Sequence, residues 1–390
     1  HMGDRTETFA STWPGISHLP VARRLVVAAV RAEMDSASPL VPNARVENAW
    51  RVAEVISESA EIAEANKLLG EFAAGLARLG IEPPMTVMTT IARYRANARR
   101  KAVQSRKTLD RIDKALAAAG VSWVAYKGQV LQIQLGGASA YRPANDVDIL
   151  VRRADFERAA TALLDSGCIL PPAFATPWWR NWLGELPLAP PPGLGSPIDL
   201  HYKVQQPGCP LPYDTNRFLM GRVPVDYDGL TVPGMSLVNA ALMAAICVVK
   251  AFARHEPAGS HALDLAKMLR KADPEFLSAL EQEARAQRLV NTLAIAREAV
   301  TEFAAGDALE KSGLNGDGRP EWSAMILTPD ATDHVRLRGR HLLWQLSEGT
   351  PLLRAGRFAR DSLAVFASER SRVHFEREGL SDQGYVTTQR

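Results

Sequence analysis

The chain has 390 residues, 46% of them hydrophobic, 23% charged and 7% aromatic, with a net charge of +3. That length exceeds one ordinary core, so two or three lobes are expected, and a charge balance this mildly basic is too little to argue for nucleic acid by itself. Cys168, Cys209 and Cys247 stand far apart with no CxxC pair, which excludes a disulfide scaffold and reads as reduced packing residues of a cytoplasmic protein. The opening His1-Met2 has the form of a tag remnant and carries no argument.

Helix comes first. The spacing predicts helices over about Val21 to Met34, Val46 to Leu79 and Met85 to Ala119. In the second, Val52, Val55, Ile56, Ile62, Leu68 and Leu69 recur at near-helical intervals with charges between them. Gly80 and Pro83-Pro84 end it. The third carries Arg93, Arg95, Arg99, Arg100, Lys101, Arg106 and Lys107, a solvated helix face or, on the other reading, a phosphate-facing edge.

At Gly120 the period changes. VSWVAY (Val121 to Tyr126) reads as a strand, Lys127-Gly128 as a turn and QVLQIQL as a short helix; GGASA is a turn, and DVDILV the second strand. ADFERAATALLDSG, Ala154 to Gly167, is an amphipathic helix followed by a short apolar piece, CILP. The proline- and tryptophan-rich stretch from Pro171 to Pro197 is expected to hold no regular element, serving either as a lid or as an insertion packed by its own tryptophans. PIDLHYKV, Pro197 to Val204, restores strand alternation, and RVPVDYDGLTV reads as a hairpin turning at Asp228-Gly229. Helices follow over Ser236 to Ala253, Ala262 to Lys271, Pro274 to Gln287, Leu289 to Phe303, Ala331 to Leu346 and Leu352 to Phe375. The longest apolar run, Leu237 to Val249, ends at Lys250 and falls short of the ~20 residues of a membrane span, so no membrane partner is expected. The regions are then 3–119 helical, 120–234 strand-bearing, 235–376 helical, and a frayed tail over 377–390.

Alternation along a strand points Asp146 and Asp148 the same way, with Val147 and Ile149 toward the core. Two carboxylates that close call for a cation between them, and hard oxygen donors suit Mg²⁺ or Mn²⁺. By the same rule Asp199, His201 and Lys203 share a face of the later strand. Lys127-Gly128 offers charge and a close backbone approach, and Arg142 a planar fork for phosphate oxygens. Lys250, at the end of an apolar helix, either reaches a nucleotide or snorkels to solvent. His255 and His261 lack a carboxylate at metal spacing and read as surface histidines.

The order strand, glycine turn, helix, strand with Asp-x-Asp, then strand with Asp resembles the DNA polymerase β-type nucleotidyltransferase superfamily. More narrowly, YKGQVLQIQL, YRPANDVDILV, FERAATALLDSGC and PIDLHYKV are similar to the bacterial family of uncharacterised nucleotidyltransferases: a Lys-Gly turn, an Arg ahead of the Asp-x-Asp, a Leu-Val strand end, a Gly after the next helix, and an Asp-Leu-His strand. The resemblance covers about Val121 to Val204 and extends to the helices around Ala240 to Leu269, where HALDLAKML is similar to a helix bearing an Asp-Leu pair, here Asp264-Leu265. It departs at the turn, where the superfamily's Gly-Ser is replaced by Lys127-Gly128-Gln129 and lysine supplies charge in place of a hydroxyl.

The resemblance implies an α+β fold, a small mixed-sheet core flanked by N-terminal and C-terminal helical lobes. It implies metal-dependent transfer of a nucleoside monophosphate, with Asp146, Asp148 and Asp199 as catalytic metal ligands and Lys127, Gly128, Arg142, His201, Lys203 and Lys250 around the nucleotide. The donor would be a nucleoside triphosphate, ATP first, and the acceptor a small molecule, peptide or protein. The alternatives are an RNA or tRNA acceptor, for which the arginine-rich third helix is the candidate surface, and a nucleotide-binding module without turnover.

Overall fold

The computed structural model describes residues 19–34, 48–137, 142–205, 207–209, 211–304, 322–329 and 339–375. The 138–140 part of the expected turn, the second helix before residue 48, the helix expected over 331–338 and the tail 377–390 lie outside the described residues.

The fold is α+β. Among the described residues four α-helices precede the sheet: α1 (Leu19–Met34), α2 (Ala53–Ala65), α3 (Leu69–Arg78) and α4 (Met85–Ala118). The helix expected over Val46 to Leu79 is thus broken into α2 and α3. Lys67 adopts a left-handed φ of 57°, and Leu68 N–H and Lys67 N–H close the turn on the carbonyls of Ala63 and Glu64, at 2.7 and 3.0 Å. This is the Schellman pattern, most at home with glycine in Lys67's position. A tertiary contact fixes it there: the buried Asn66 amide donates to the carbonyls of Ile62 and Leu327 at 2.9 and 2.8 Å and accepts from Gly259 N–H at 2.9 Å.

The strands are β1 (Trp123–Ala125), β2 (Val147–Val151), β3 (Glu185–Leu188), β4 (Ile198–His201), β5 (Val223–Tyr227) and β6 (Leu230–Gly234). They form one mixed sheet in the order β3-β4-β2-β1-β6-β5. The β4/β2 and β1/β6 pairs are parallel and the rest antiparallel. Two short helices belong to this region, α5 (Gly128–Gln134) and α6 (Phe156–Asp165). The β5–β6 hairpin turns through Asp228 and Gly229, both with positive φ (49° and 79°), which suits the strand twist.

β3 corrects the expectation of an irregular segment over Pro171 to Pro197. Leu186 and Leu188 point into the core and pair in register with Leu200 and Ile198, while Pro187 is tolerated because β3 is an edge strand. Before it a π-helical turn, Trp179–Leu183, ends at left-handed Gly184. The tryptophans pack locally: Trp178 meets Trp179 edge to face, and its Nε1–H donates to the Ser368 carbonyl at 3.0 Å.

After the sheet come α7 (Leu237–Arg254), α8 (Gly259–Arg270), α9 (Pro274–Ala286), α10 (Val290–Ala304), α11 (Trp322–Leu327), α12 (Gly339–Leu346) and α13 (Pro351–Phe375). The 18-residue α7 is long and apolar enough to cross a membrane, with a mean hydropathy of 1.7, but 72% of it is buried inside the protein. It is the central strut of an apolar cluster shared by helices before and after the sheet.

The sheet is covered on both faces. Val147, Ile149, Val151, Ile198 and Leu200 pack against Leu109, Ile112 and Leu116 of α4 and against α6. Val124, Tyr126 and Leu150 face the other way, onto the cluster around α7. The 34-residue α4 contributes Val87, Ile91 and Tyr94 to one cluster and its C-terminal half to the other, tying sheet to helices.

Candidate active site

The site grows from the parallel pairing of β2 with β4. Its register sets Asp148 beside Asp199, and alternation turns both toward the α7 side. Two residues on, His201 has the same orientation, next to Glu185 of β3. His201 Nε2 lies 3.3 Å from Asp148 Oδ1 and its Nδ1 lies 3.9 Å from Glu185 Oε2. Tyr126 packs edge to face on the imidazole with centroids 5.7 Å apart.

Lys127 arrives from the end of β1. Its ammonium donates to Asp148 Oδ1 at 3.1 Å and sits over the Tyr126 ring. Gly128 follows with φ 61°, where a Cβ would stand 3.4 Å from that of Ala144, so glycine leaves both backbone and space free.

Charge is distributed unequally. Burial works against the Asp148 carboxylate, but Lys127 and the His201 imidazole 3.3 Å away hold its pKa well below the usual range. Burial and the Asp148 charge push Asp146 up, and the same causes raise Asp199 to about 7. Burial likewise works against Lys127 and His201, yet Asp148 keeps the lysine well above its ordinary value, and Glu185 with Asp148 raises the imidazole. Three carboxylates therefore carry fewer than three charges near neutrality, the condition a divalent cation relieves.

Among the described residues, Asp148, Asp199 and His201 offer ligand atoms that all lie within 4.8 Å of one another. Two carboxylate oxygens and an imidazole nitrogen are a donor set that suits a divalent ion, so the residues fit a metal. His201, expected beside the nucleotide, stands in this cluster, whereas Asp146 lies at the cavity next to it.

That cavity, about 90 Å³, lies between the sheet and the helices. Asp146, Asp148, Lys127, Gly128 and Arg142 line it together with Lys67, Ser260 and His261 from the helical segments and with the less polar Tyr126, Met243 and Cys247. Five of the residues expected from the sequence thus meet at one place, with Asp199 and His201 beside it. Two others do not. Lys203 lies beyond the end of β4, and its ammonium donates to the carbonyls of Asn181 and Trp182 at 2.8 and 3.3 Å, closing the π turn. Lys250 lies one helical turn beyond Cys247 on α7, outside the lining.

Arg142 reaches the cavity with its donors committed. Its Nη2–H and Nη1–H donate to Asp264 Oδ1 at 2.5 Å and the Ser260 carbonyl at 3.0 Å, and Nε lies 3.7 Å from Glu71. It joins α3, the approach to β2, and α8, and holds the Asp146 loop from behind; the free phosphate fork expected from the sequence is corrected to a buried hub. His261, expected on the surface, is corrected likewise: it is tucked into the cavity, where burial and then Lys127, Lys67, Arg142 and Lys250 lower its pKa to about 3. Lys67 and Glu185 carried no sequence signal. His261 carried a weak one, three residues before Asp264 and hence on the same helix face.

A model of the family described as uncharacterised nucleotidyltransferase matches residues 53–305, from α2 through α10. The chain belongs to that family. No curated protein matches closely enough to count as a relative.

Proposed function

We propose that this nucleotidyltransferase-family protein is a polymerase β-type enzyme of the cytoplasm. It transfers a nucleoside monophosphate from a nucleoside triphosphate, ATP first among the candidates, to a hydroxyl of a small molecule, peptide or protein, releasing pyrophosphate. The observation that carries this reading is the in-register Asp148/Asp199 pair with His201, facing a cavity that Lys127 and Gly128 also line. A Mg²⁺ or Mn²⁺ ion held by Asp148, Asp199 and His201, with Asp146 at the margin, would neutralise phosphate charge and acidify the acceptor hydroxyl.

The chain's own groups do the rest. Asp199, beside the position the acceptor hydroxyl would take, accepts its proton. The acceptor oxygen bonds to the α-phosphorus as the bond from that phosphorus to the bridging oxygen breaks. The bonding pair leaves on the β-phosphate, where the Lys127 ammonium meets the new charge. Glu185 stands behind His201 and keeps the imidazole turned toward Asp148.

Incubation with each labelled triphosphate and Mg²⁺ or Mn²⁺, read by mass spectrometry for a mass gain of one nucleoside monophosphate on protein, peptide or small molecule, tests the reading. Asp148→Asn and Asp199→Asn should each abolish the gain. Full transfer by either variant, or no gain and no pyrophosphate with any triphosphate, would overturn it.

A further inference from the structure

The cavity lining also includes basic residues from helical segments far from the strands in the chain. Lys67 stands there because of its neighbour: Asn66 pins the α2–α3 turn to the start of α8 and the end of α11, and the left-handed backbone at Lys67 directs the side chain to the rim. Among the described residues the Lys67 ammonium has no ion pair or hydrogen bond. Lys127 is paired with Asp148, and Arg142 with Asp264 and Glu71. Lys67, exposed at the cavity, is therefore its cation without a hydrogen bond or ion pair, and its charge acts at longer range on Asp146.

Beside it His261 makes no hydrogen bond among the described residues. Its depressed pKa keeps the ring neutral at physiological pH, with one N–H left to donate. Two donors without partners, the Lys67 ammonium and the His261 N–H, on a cavity that also holds the paired cations Lys127 and Arg142, call for an anion with several oxygens. The acidic side of the cavity belongs to the cation, so this anion sits against the helices.

We propose that Lys67 and His261 form the terminal-phosphate half of the site, binding the β- and γ-phosphates of the triphosphate and then the departing pyrophosphate. This rests on the nucleotidyl-transfer reading and extends it to residues outside the strand motif. Lys67 takes up the negative charge as the leaving phosphate departs, and His261 fixes its orientation through a single hydrogen bond.

The design of the turn supplies a clean variant. Lys67→Gly removes the ammonium while keeping, and conformationally favouring, the left-handed turn, so misfolding does not cloud the result. Affinity of the full chain for inorganic pyrophosphate is measured by titration calorimetry with Mg²⁺, for wild type, Lys67→Gly, His261→Asn and the distant exposed Lys107→Ala. Loss of a charge-assisted contact predicts roughly 10- to 100-fold weaker binding for Lys67→Gly and a several-fold loss for His261→Asn. Lys107→Ala should match wild type, and Lys67→Gly should melt no lower than wild type. Wild-type affinity in Lys67→Gly, or no pyrophosphate binding by wild type, overturns the subsite. Transfer activity is read separately. Pyrophosphate binding that depends on Lys67 without any transfer would sink the activity and leave the subsite. Transfer with an unchanged KM in Lys67→Gly would do the reverse.

Discussion

Replacing Arg142 with alanine separates a buried hub from a phosphate contact, because the two roles put the damage in different measurements. Arg142 is 4% exposed, and its guanidinium meets Asp264 at 2.5 Å and Glu71 at 3.7 Å. Its removal leaves two buried carboxylates facing each other, and breaking a buried pair in this way costs about 3–5 kcal/mol. An arginine whose task is to touch substrate would cost about 0.5 kcal/mol or less in stability. The larger loss lowers the melting temperature by on the order of 10 °C. The pH dependence adds a second signature. Burial already pushes the Glu71 carboxyl up despite Arg142 and Lys267, and without Arg142 it rises further. A carboxyl whose folded pKa lies above its unfolded value contributes stability that is complete below the unfolded pKa, about 4, and lost as pH rises through the folded one. The deficit of the variant should therefore shrink from pH 8 toward pH 4. Urea unfolding at the two pH values measures both effects. A variant within about 1 kcal/mol of wild type, with a pH-independent difference and abolished nucleotide affinity, would refute the hub.

Other outcomes follow from the same geometry. Asp199, raised to about 7, makes protons compete with the cation, so Mn²⁺ affinity should climb as pH rises from 6 to 8; an Asp199→Asn protein with the same slope would contradict this. In the metal-free protein the stability from protonated Asp199 is complete below about pH 4 and disappears as pH rises through 7. His261, lowered to about 3, has the opposite sign: its contribution is present above about 6.5 and lost as pH falls toward 3. His261→Asn should flatten that acid limb in unfolding curves, and parallel limbs would rule the buried neutral imidazole out. Lys203→Ala should cost about 1–2 kcal/mol through the uncapped π turn while nucleotide affinity stays unchanged; lost affinity with full stability would return Lys203 to the site.

The strand motif was legible because its information is local. Period-two alternation places Asp148 opposite Val147 and Ile149 without knowledge of any partner strand, while Asp146, expected on the same strand, stands in the bend just before it; Asp228-Gly229 names its own hairpin. β3 was hidden because Pro187 argues against a strand unless it is known to lie at an edge, a property of the assembled sheet. The α2–α3 break was hidden for a similar reason. Asn66-Lys67 does not stop a helix by itself; the carbonyl of Leu327 and the N–H of Gly259 make the stop worthwhile. Arg142 shows the converse error. Its closeness in sequence to Asp146 suggested shared chemistry, whereas its partners, Glu71 and Asp264, come from helices on either side of the sheet region.

The site thus divides by origin: strands supply its acids, and helices supply the uncommitted base. Lys127 stands at the seam, its charge spent on Asp148. A divalent cation on Asp148 and Asp199 would take over the role Lys127 plays toward that carboxylate and release the ammonium toward the phosphates. An anion against Lys67 and Lys127 would in turn weaken the lysine's hold on Asp148. Each ligand therefore relieves an interaction that opposes the other, and linkage requires the two enhancements to be equal in free energy. A bare phosphate chain entering without metal meets three carboxylates and a lysine already paired. On the proposed reading the cation would be the condition under which the helical residues can grip their anion, and the residues outside the motif would then share the binding chemistry with those within it.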